Sequence, residues 1–127
     1  FLQNFQWQGT RDLSAFLTIP VAIDFYKNFI HPYQSFCKEL IQNSYSEFHS
    51  VLGTPPISTG NNLLGQMVSH PLPENSPTNL KEKLWHDSNI EIPIFNWLGK
   101  RYIRISIQVY NSEKDVELLM RALQSLN

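Results

Sequence analysis

The stretch RYIRISIQVY, residues 101–110, constrains the fold more than any other segment, because apolar and polar residues alternate along it. A period of two is typical of a β-strand that buries one face and exposes the other. The face expected to pack against helices carries Ile103, Ile105, Ile107 and Val109. The face expected to be polar carries Tyr102, Arg104, Ser106, Gln108 and Tyr110.

Two further strands are predicted beside it. The segment IEIPIF, residues 90–95, is joined to residue 101 by NWLGK, which has the length of a hairpin connection, with Gly99 available for a positive φ. Pro93 has no N–H to donate, so its strand is expected at an edge or with that side unpaired. The apolar run QMVSH, residues 66–70, predicts the third strand. The sheet is therefore expected to be small and mainly antiparallel.

Helical spacing characterises much of the remaining sequence. Between Tyr33 and Leu52 the apolar residues follow the i, i+3, i+4, i+7 pattern of an amphipathic helix. Before it, LSAFL and VAIDFYKNF predict two short helices, with Thr18 as a cap and Pro20 as the break. Another helix is expected at residues 78–85.

The last helix is expected to begin at Ser112, whose hydroxyl and the carboxylate of Asp115 have capping-box spacing. Its apolar stripe is Val116, Leu119, Leu123 and Leu126. Helices followed by a hairpin and a closing helix predict an α+β fold, a two-layer domain with helices packed on a small mainly antiparallel sheet. At 127 residues, the chain is expected to form a single domain, residues 1–127.

Composition disfavours several classes of partner. Ten Lys and Arg against eleven Asp and Glu give a net charge of -1, so neither a nucleic-acid partner nor an anionic membrane is expected. No apolar run approaches the roughly 20 residues that span a bilayer. The chain starts with Phe and shows no secretory signal, which suggests a piece of a longer protein. A single cysteine predicts a reducing, cytoplasmic location.

Most residue types associated with chemistry show no catalytic or metal-binding pattern. His31, His49, His70 and His86 lack H-x-x-x-H spacing, and no paired cysteines occur, so no metal site is expected. Surface or packing roles are expected for the histidines. Trp85 and Trp97 are expected to pack, although Trp97 could line a cleft at the hairpin tip. Cys37 lies on a helical apolar stripe and is expected in the core rather than as a nucleophile.

Two features of the sequence could belong to a binding site. Arg104 lies in the middle of the strand on its polar face, where it could form a salt bridge or a bidentate clamp on a carboxylate. The segment WQGTRD, residues 7–12, has the composition of a binding site, although Asp12 could simply cap a helix and Arg11 could pair with an acid.

Both ends of the chain resemble one enzyme family. WQGTRDLSAFLTIPVAIDF and RYIRISIQVYNSEKDVELLMRAL are similar to class V aminotransferases, which are pyridoxal-phosphate enzymes of fold type I, and in particular to the isopenicillin N epimerase-like branch. The resemblance covers essentially the whole chain but corresponds only to the C-terminal small domain of such an enzyme. It implies that the large domain that binds pyridoxal phosphate is absent from this chain.

The resemblance also assigns roles to individual residues. Thr10 would donate its hydroxyl to the cofactor phosphate, of the partner subunit in a homodimer, with Gly9 allowing close approach and Trp7 walling the site. Arg104 would bind the α-carboxylate of an amino-acid substrate. None of the six lysines has the Ser-x-His-Lys context of the family's Schiff-base lysine, so no catalytic residue is expected in this chain.

The resemblance leaves the reaction open. Epimerisation, transamination and C–S lyase chemistry all remain, whereas a desulfurase is disfavoured because Cys37 does not lie on a flexible C-terminal loop. The alternative from another class is a free-standing α+β ligand-binding or regulatory module without catalysis.

Overall fold

A computed structural model of the chain describes Asn4, residues 9–10, residues 12–57 and residues 64–125. The chain divides into two units, an N-terminal unit, Phe1–Pro32, and a C-terminal unit, Tyr33–Asn127, and each is described by itself.

The N-terminal unit is helical. It contains α1, Ser14–Leu17, and α2, Ile19–Phe25, followed by a π-helical turn, Tyr26–Ile30, and the start of a 3-10 turn, His31–Tyr33. The two short helices confirm the prediction, and Pro20 lies in the first turn of α2, where its missing N–H has no helical partner to lose. The expectation that Thr18 caps α2 is wrong, because its hydroxyl instead donates to the Ala15 carbonyl at 2.8 Å.

The helices of this unit do not bury an apolar side. Neither α1 nor α2 contains a buried residue. Large hydrophobic side chains are exposed along the segment instead, and they include Leu13, Phe16, Leu17, Ile19, Val21, Ile23, Phe25, Tyr26 and Phe29.

The C-terminal unit begins with the long predicted helix, α3, Gln34–Leu52. Its buried stripe is Cys37, Leu40, Ile41, Ser44, Tyr45, Phe48 and Leu52, which confirms the spacing read from the sequence and the core position of Cys37. The helix ends at Gly53, whose φ of 64° is in the left-handed region that glycine adopts without strain. The Gly53 N–H donates to the His49 carbonyl at 2.9 Å.

The sheet has three strands, β1, Met67–Pro71, β2, Ile94–Trp97, and β3, Lys100–Ser106, in the order β1-β3-β2. Both pairings are antiparallel. The hairpin turn between β2 and β3 is only Leu98 and Gly99, with φ values of 46° and 75°, so the positive φ expected at Gly99 is confirmed. The turn is shorter than predicted because Trp97 pairs with Lys100.

Two predicted strand ends are wrong. IEIPIF forms a strand only from Ile94, after Pro93, although the Pro93 carbonyl still accepts the Arg104 N–H at 3.0 Å. The strand β3 stops at Ser106 rather than at residue 110. There the backbone turns: the Gln108 N–H donates to Asn111 Oδ1 at 2.9 Å, and the Asn111 N–H donates to the Gln108 carbonyl at 2.8 Å.

The alternation along β3 holds on its inner face and fails once on its outer face. Ile103, Ile105 and Ile107 are buried as expected. Tyr102, which was expected on the polar face, is only 7% exposed because aromatic rings from β2 cover it. The Phe95 ring stacks on it with centroids 5.7 Å apart, and the Trp97 ring lies edge-on at 6.0 Å.

Two helices complete the core, α4, Leu80–Ser88, and α5, Glu113–Gln124. The capping box at the start of α5 is confirmed, since the Ser112 N–H donates to Asp115 Oδ2 at 2.8 Å. Val116, Leu119 and Leu123 are buried as predicted, and Leu126 lies outside the described residues. Three helices therefore pack on a three-stranded antiparallel sheet, which confirms the α+β prediction.

Candidate functional site

The position of Arg104 is set by β3. Its Cα pairs with Ser69 of β1, and its N–H is held by the Pro93 carbonyl at 3.0 Å, so the backbone is fixed on both sides. The residue is exposed, whereas its neighbours Ile103 and Ile105 are buried on the opposite face. Among the described residues no carboxylate forms an ion pair with its guanidinium. The salt-bridge alternative therefore has no partner in the described part of the chain.

Arg104 lines a cleft of about 420 Å³ in the C-terminal unit. The cleft exists because β2 begins only at Ile94, so the edge of β3 beyond Arg104 has no paired strand on that side. Residues 89–93, the end of β3 and the first turns of α5 form its walls. The carboxylates of Glu91 and Asp115 also line the cleft, and Asp115 Oδ2 accepts hydrogen bonds from the Ser112 N–H and hydroxyl.

The neighbouring Arg101 has a structural role. It has the opposite parity on β3, and its Nη1 and Nη2 donate to the carbonyls of Ser76 and Pro77, both at 3.0 Å. These bonds tie the segment before α4 to the sheet. Of the two arginines on β3, Arg104 lines the cleft and Arg101 does not.

The predicted cofactor contacts lie at the start of the chain. Trp7 is outside the described residues. Gly9 is exposed with a φ of 74°, and no atom among the described residues lies within 4 Å of a Cβ built on it. Thr10 is also exposed. Both belong to the N-terminal unit, so their roles toward the cofactor stay predictions.

Asp12 lies next to the start of α1, although the capping position is Leu13 and not Asp12. Its two carboxylate oxygens accept hydrogen bonds from the Ser14 N–H and the Ser14 hydroxyl, each at 2.8 Å. These bonds to the charged form lower the pKa of Asp12 below its usual value. Asp12 therefore organises the first turn of α1, and Arg11 lies outside the described residues.

Both tryptophans that the sequence analysis considered in the C-terminal unit are exposed. Trp85 was expected to pack but is 51% exposed, whereas Trp97 is exposed and contacts Tyr102. Within the described ranges, no group of three or more potential ligands could hold a metal ion. No helix in the described part of the chain has the length and apolar character needed to cross a membrane.

Sequence reasoning missed a contact between two histidines. His49 of α3 and His70 of β1 lie side by side with ring centroids 4.7 Å apart. The two residues are far apart in the sequence and share no motif. One signal was present: His70 has the same strand parity as the buried Val68, which places it on the inner face of β1.

The fold of the chain is also found in a solved structure. The chain is similar to the crystal structure of 8-amino-7-oxononanoate synthase from Francisella tularensis, with a TM-score of 0.54 and 18% identity over 70% of this chain and 25% of that one. The α+β arrangement therefore matches the corresponding part of that structure. No family model matches the chain.

Two proteins with known names are similar to the chain in sequence. The chain is 31% identical to isopenicillin N epimerase from Amycolatopsis lactamdurans over 129 residues, which covers 99% of this chain and 32% of that protein. It is 30% identical to a putative L-cysteine desulfhydrase 1 from Oryza sativa subsp. japonica over 94% of this chain and 30% of that protein. The resemblance to the isopenicillin N epimerase-like branch is confirmed, and the chain is homologous to pyridoxal-phosphate-dependent enzymes. It spans about a third of the length of these relatives.

Proposed function

We propose that this chain is the C-terminal small domain of a class V aminotransferase-like enzyme that acts on an amino acid by epimerisation, transamination or C–S elimination. The observation that carries the proposal is Arg104, an exposed residue of a paired strand that lines a cleft of about 420 Å³. The homology to isopenicillin N epimerase supplies the enzyme class, and the cleft supplies a place for a substrate.

Arg104 is proposed to bind the α-carboxylate of the substrate. A guanidinium presents two parallel N–H groups that match two carboxylate oxygens in one plane. The paired backbone of β3 holds its Cα in place, so less orientational freedom is lost when the substrate binds. The proposed role of the Arg104 side chain is to hold the amino acid in one orientation. Its positive charge attracts the substrate carboxylate, and its planar N–H groups fix the direction in which that carboxylate binds.

The N-terminal residues are proposed to hold the cofactor. The exposed Thr10 hydroxyl can donate to a phosphate oxygen, and the open space at Gly9 lets the backbone approach a phosphate group closely. Trp7 is proposed as a wall of the same site. Thr10 and Gly9 would hold the phosphate of pyridoxal phosphate, which would supply an electron sink when a proton leaves the substrate Cα. The lysine and the pyridine-nitrogen partner that this chemistry needs are proposed to lie in the large domain.

The remaining parts of the protein are proposed to cover the N-terminal helices. These helices expose apolar side chains all along α1 and α2, and the chain spans only 32% of its epimerase relative. A large cofactor-binding domain and a second subunit of a homodimer are the proposed partners, with a cytoplasmic location. Uncovered apolar helices are atypical of a free-standing binding module, so the non-catalytic alternative is not favoured.

The cofactor assignment is tested by replacing Thr10 with alanine in the full-length protein. Loss of one hydrogen bond to a charged phosphate is expected to weaken cofactor retention by about 1.5 to 3 kcal/mol. Retention is measured as the cofactor content left after dialysis. Thr78→Ala, at an exposed threonine of the C-terminal unit, is the matched control and should retain the parental content. Equal cofactor content in both variants would contradict the role of Thr10.

A further inference from the structure

His49 and His70 form a small buried cluster with two aromatic rings. His70 is fully buried, and the ring nitrogens of both histidines are inaccessible to solvent. The Tyr45 ring lies 4.4 Å from the His49 ring and 5.1 Å from the His70 ring, measured between centroids. The Phe48 ring lies 5.2 Å from His70. The pair therefore belongs to the contact between α3 and β1.

Hydrogen-bond geometry is not met at the ring nitrogens of either histidine within the described residues. Nδ1 and Nε2 of both rings are buried without a hydrogen-bond partner. A neutral imidazole has one donor and one acceptor, whereas the protonated form has two donors and a charge that needs solvation or a counter-charge. Burying that charge is far more costly than burying the neutral ring. The site therefore accepts the pair only in its neutral form.

Among the described residues, no acid acts on the pair to balance a positive charge. From α3 the titratable groups of the same core are Tyr45 and Cys37. On β3 the residue paired with His70 is Ile103, and the guanidinium of Arg101 is held by the carbonyls of Ser76 and Pro77. The side chains that α5 contributes to this core are the apolar residues Val116, Leu119, Met120, Ala122 and Leu123.

We propose that His49 and His70 form an acid-sensitive latch between α3 and β1, closed while both rings are neutral and opened when either is protonated. A proton on one ring places a charge directly against the other ring, so the two protonations oppose each other while the latch is closed. Opening lets both rings reach water. Mild acid therefore loosens the packing of α3 on the sheet. This inference does not depend on the proposed enzyme activity.

The direction of the pH dependence follows from the buried rings. Burial, assisted by the charge of His49, lowers the pKa of His70 to about 4 from the ordinary 6.5. Burial also lowers the pKa of His49, and the nearby Thr54 backbone offsets part of that effect. Because the folded pKa values lie below the unfolded ones, the unfolded chain binds protons more readily. The contribution of the neutral histidine pair to the free energy of unfolding is complete above about pH 6.5 and is lost as the pH falls toward about 4.

The test is urea unfolding of the 127-residue chain at pH 7.5, 6 and 5, since the C-terminal unit has a hydrophobic core of its own. Uptake of about one extra proton by the unfolded chain predicts that the folding equilibrium constant falls about tenfold between pH 6 and 5. In His70→Leu the folding equilibrium constant should stay nearly the same between pH 6 and 5. In His86→Leu, which removes an exposed histidine and keeps every carboxylate, the fall of about tenfold should remain.

A second measurement needs no substitution at the pair. NMR titration of the imidazole C–H signals of the unchanged chain reports the protonation of each histidine, with His31 and His86 as exposed references. The latch predicts that the imidazole of His70 stays neutral at pH 5. His70 titrating with the references, or His70→Leu and His86→Leu showing the same dependence on pH, would overturn the proposal.

Discussion

Replacing Arg104 with lysine is expected to lower kcat/KM of the full-length enzyme by about 10- to 150-fold while its cofactor content stays normal. The loss corresponds to about 1.5 to 3 kcal/mol, the contribution of one hydrogen bond to a charged group. Lysine keeps the positive charge but has no planar fork, so the variant isolates the bidentate geometry. The measurement is steady-state kinetics with the amino-acid substrate, together with the absorbance of bound cofactor.

The control for this variant is Arg121→Lys. Arg121 lies on α5, where its exposed side chain pairs with Glu117 at 3.6 Å, and it does not line the cleft. Its replacement should leave kcat/KM within about twofold, because an exposed ion pair contributes little. Arg101→Lys is less suitable as a control, because it removes two hydrogen bonds to backbone carbonyls and is expected to reduce stability. Parental kinetics in Arg104→Lys would show that the carboxylate is bound elsewhere.

Replacing Phe48 with alanine is expected to cost about 3 to 5 kcal/mol of unfolding free energy in the 127-residue chain. Phe48 is 1% exposed on α3, and its ring contacts His70 of β1, so the substitution leaves a cavity where the helix meets the sheet. The measurement is the shift of the urea midpoint at pH 7.5, where the histidines are neutral. A shift of that size would be among the largest that a single core residue produces.

Phe36→Ala on the same helix is the matched control. Phe36 is 42% exposed and is not part of the buried stripe of α3. Its loss should cost about 1 kcal/mol or less, since less apolar area returns to water. Equal losses at the two positions would mean that α3 packs with a different face toward the sheet.

The elements that the sequence predicted well depend on local signals. The apolar period of α3 depends on residues three and four apart, and the carboxylate of Asp115 reaches a backbone N–H only three residues away. The positive φ at Gly99 is likewise a local demand of a two-residue hairpin turn. These preferences act within a few residues, so the sequence alone could predict them.

The errors arose where distant residues decided the outcome. Tyr102 is buried on the expected polar face because Phe95 and Trp97 of another strand cover it. β3 ends early because Asn111 supplies a side-chain acceptor that turns the backbone at Gln108. Strand periodicity describes one strand and contains no information about either contact. The parity of Arg104 was predictable, whereas the cleft beside it depends on where β2 begins.

The central claim is that this chain belongs to an enzyme whose cofactor-binding lysine lies elsewhere in the protein. It is tested most directly by incubating the full-length protein with pyridoxal phosphate, reducing with borohydride and mapping the labelled lysine by mass spectrometry. Saturable labelling of one lysine outside residues 1–127 is expected. No saturable labelling, or labelling of Lys27, Lys38, Lys81, Lys83, Lys100 or Lys114, would contradict it.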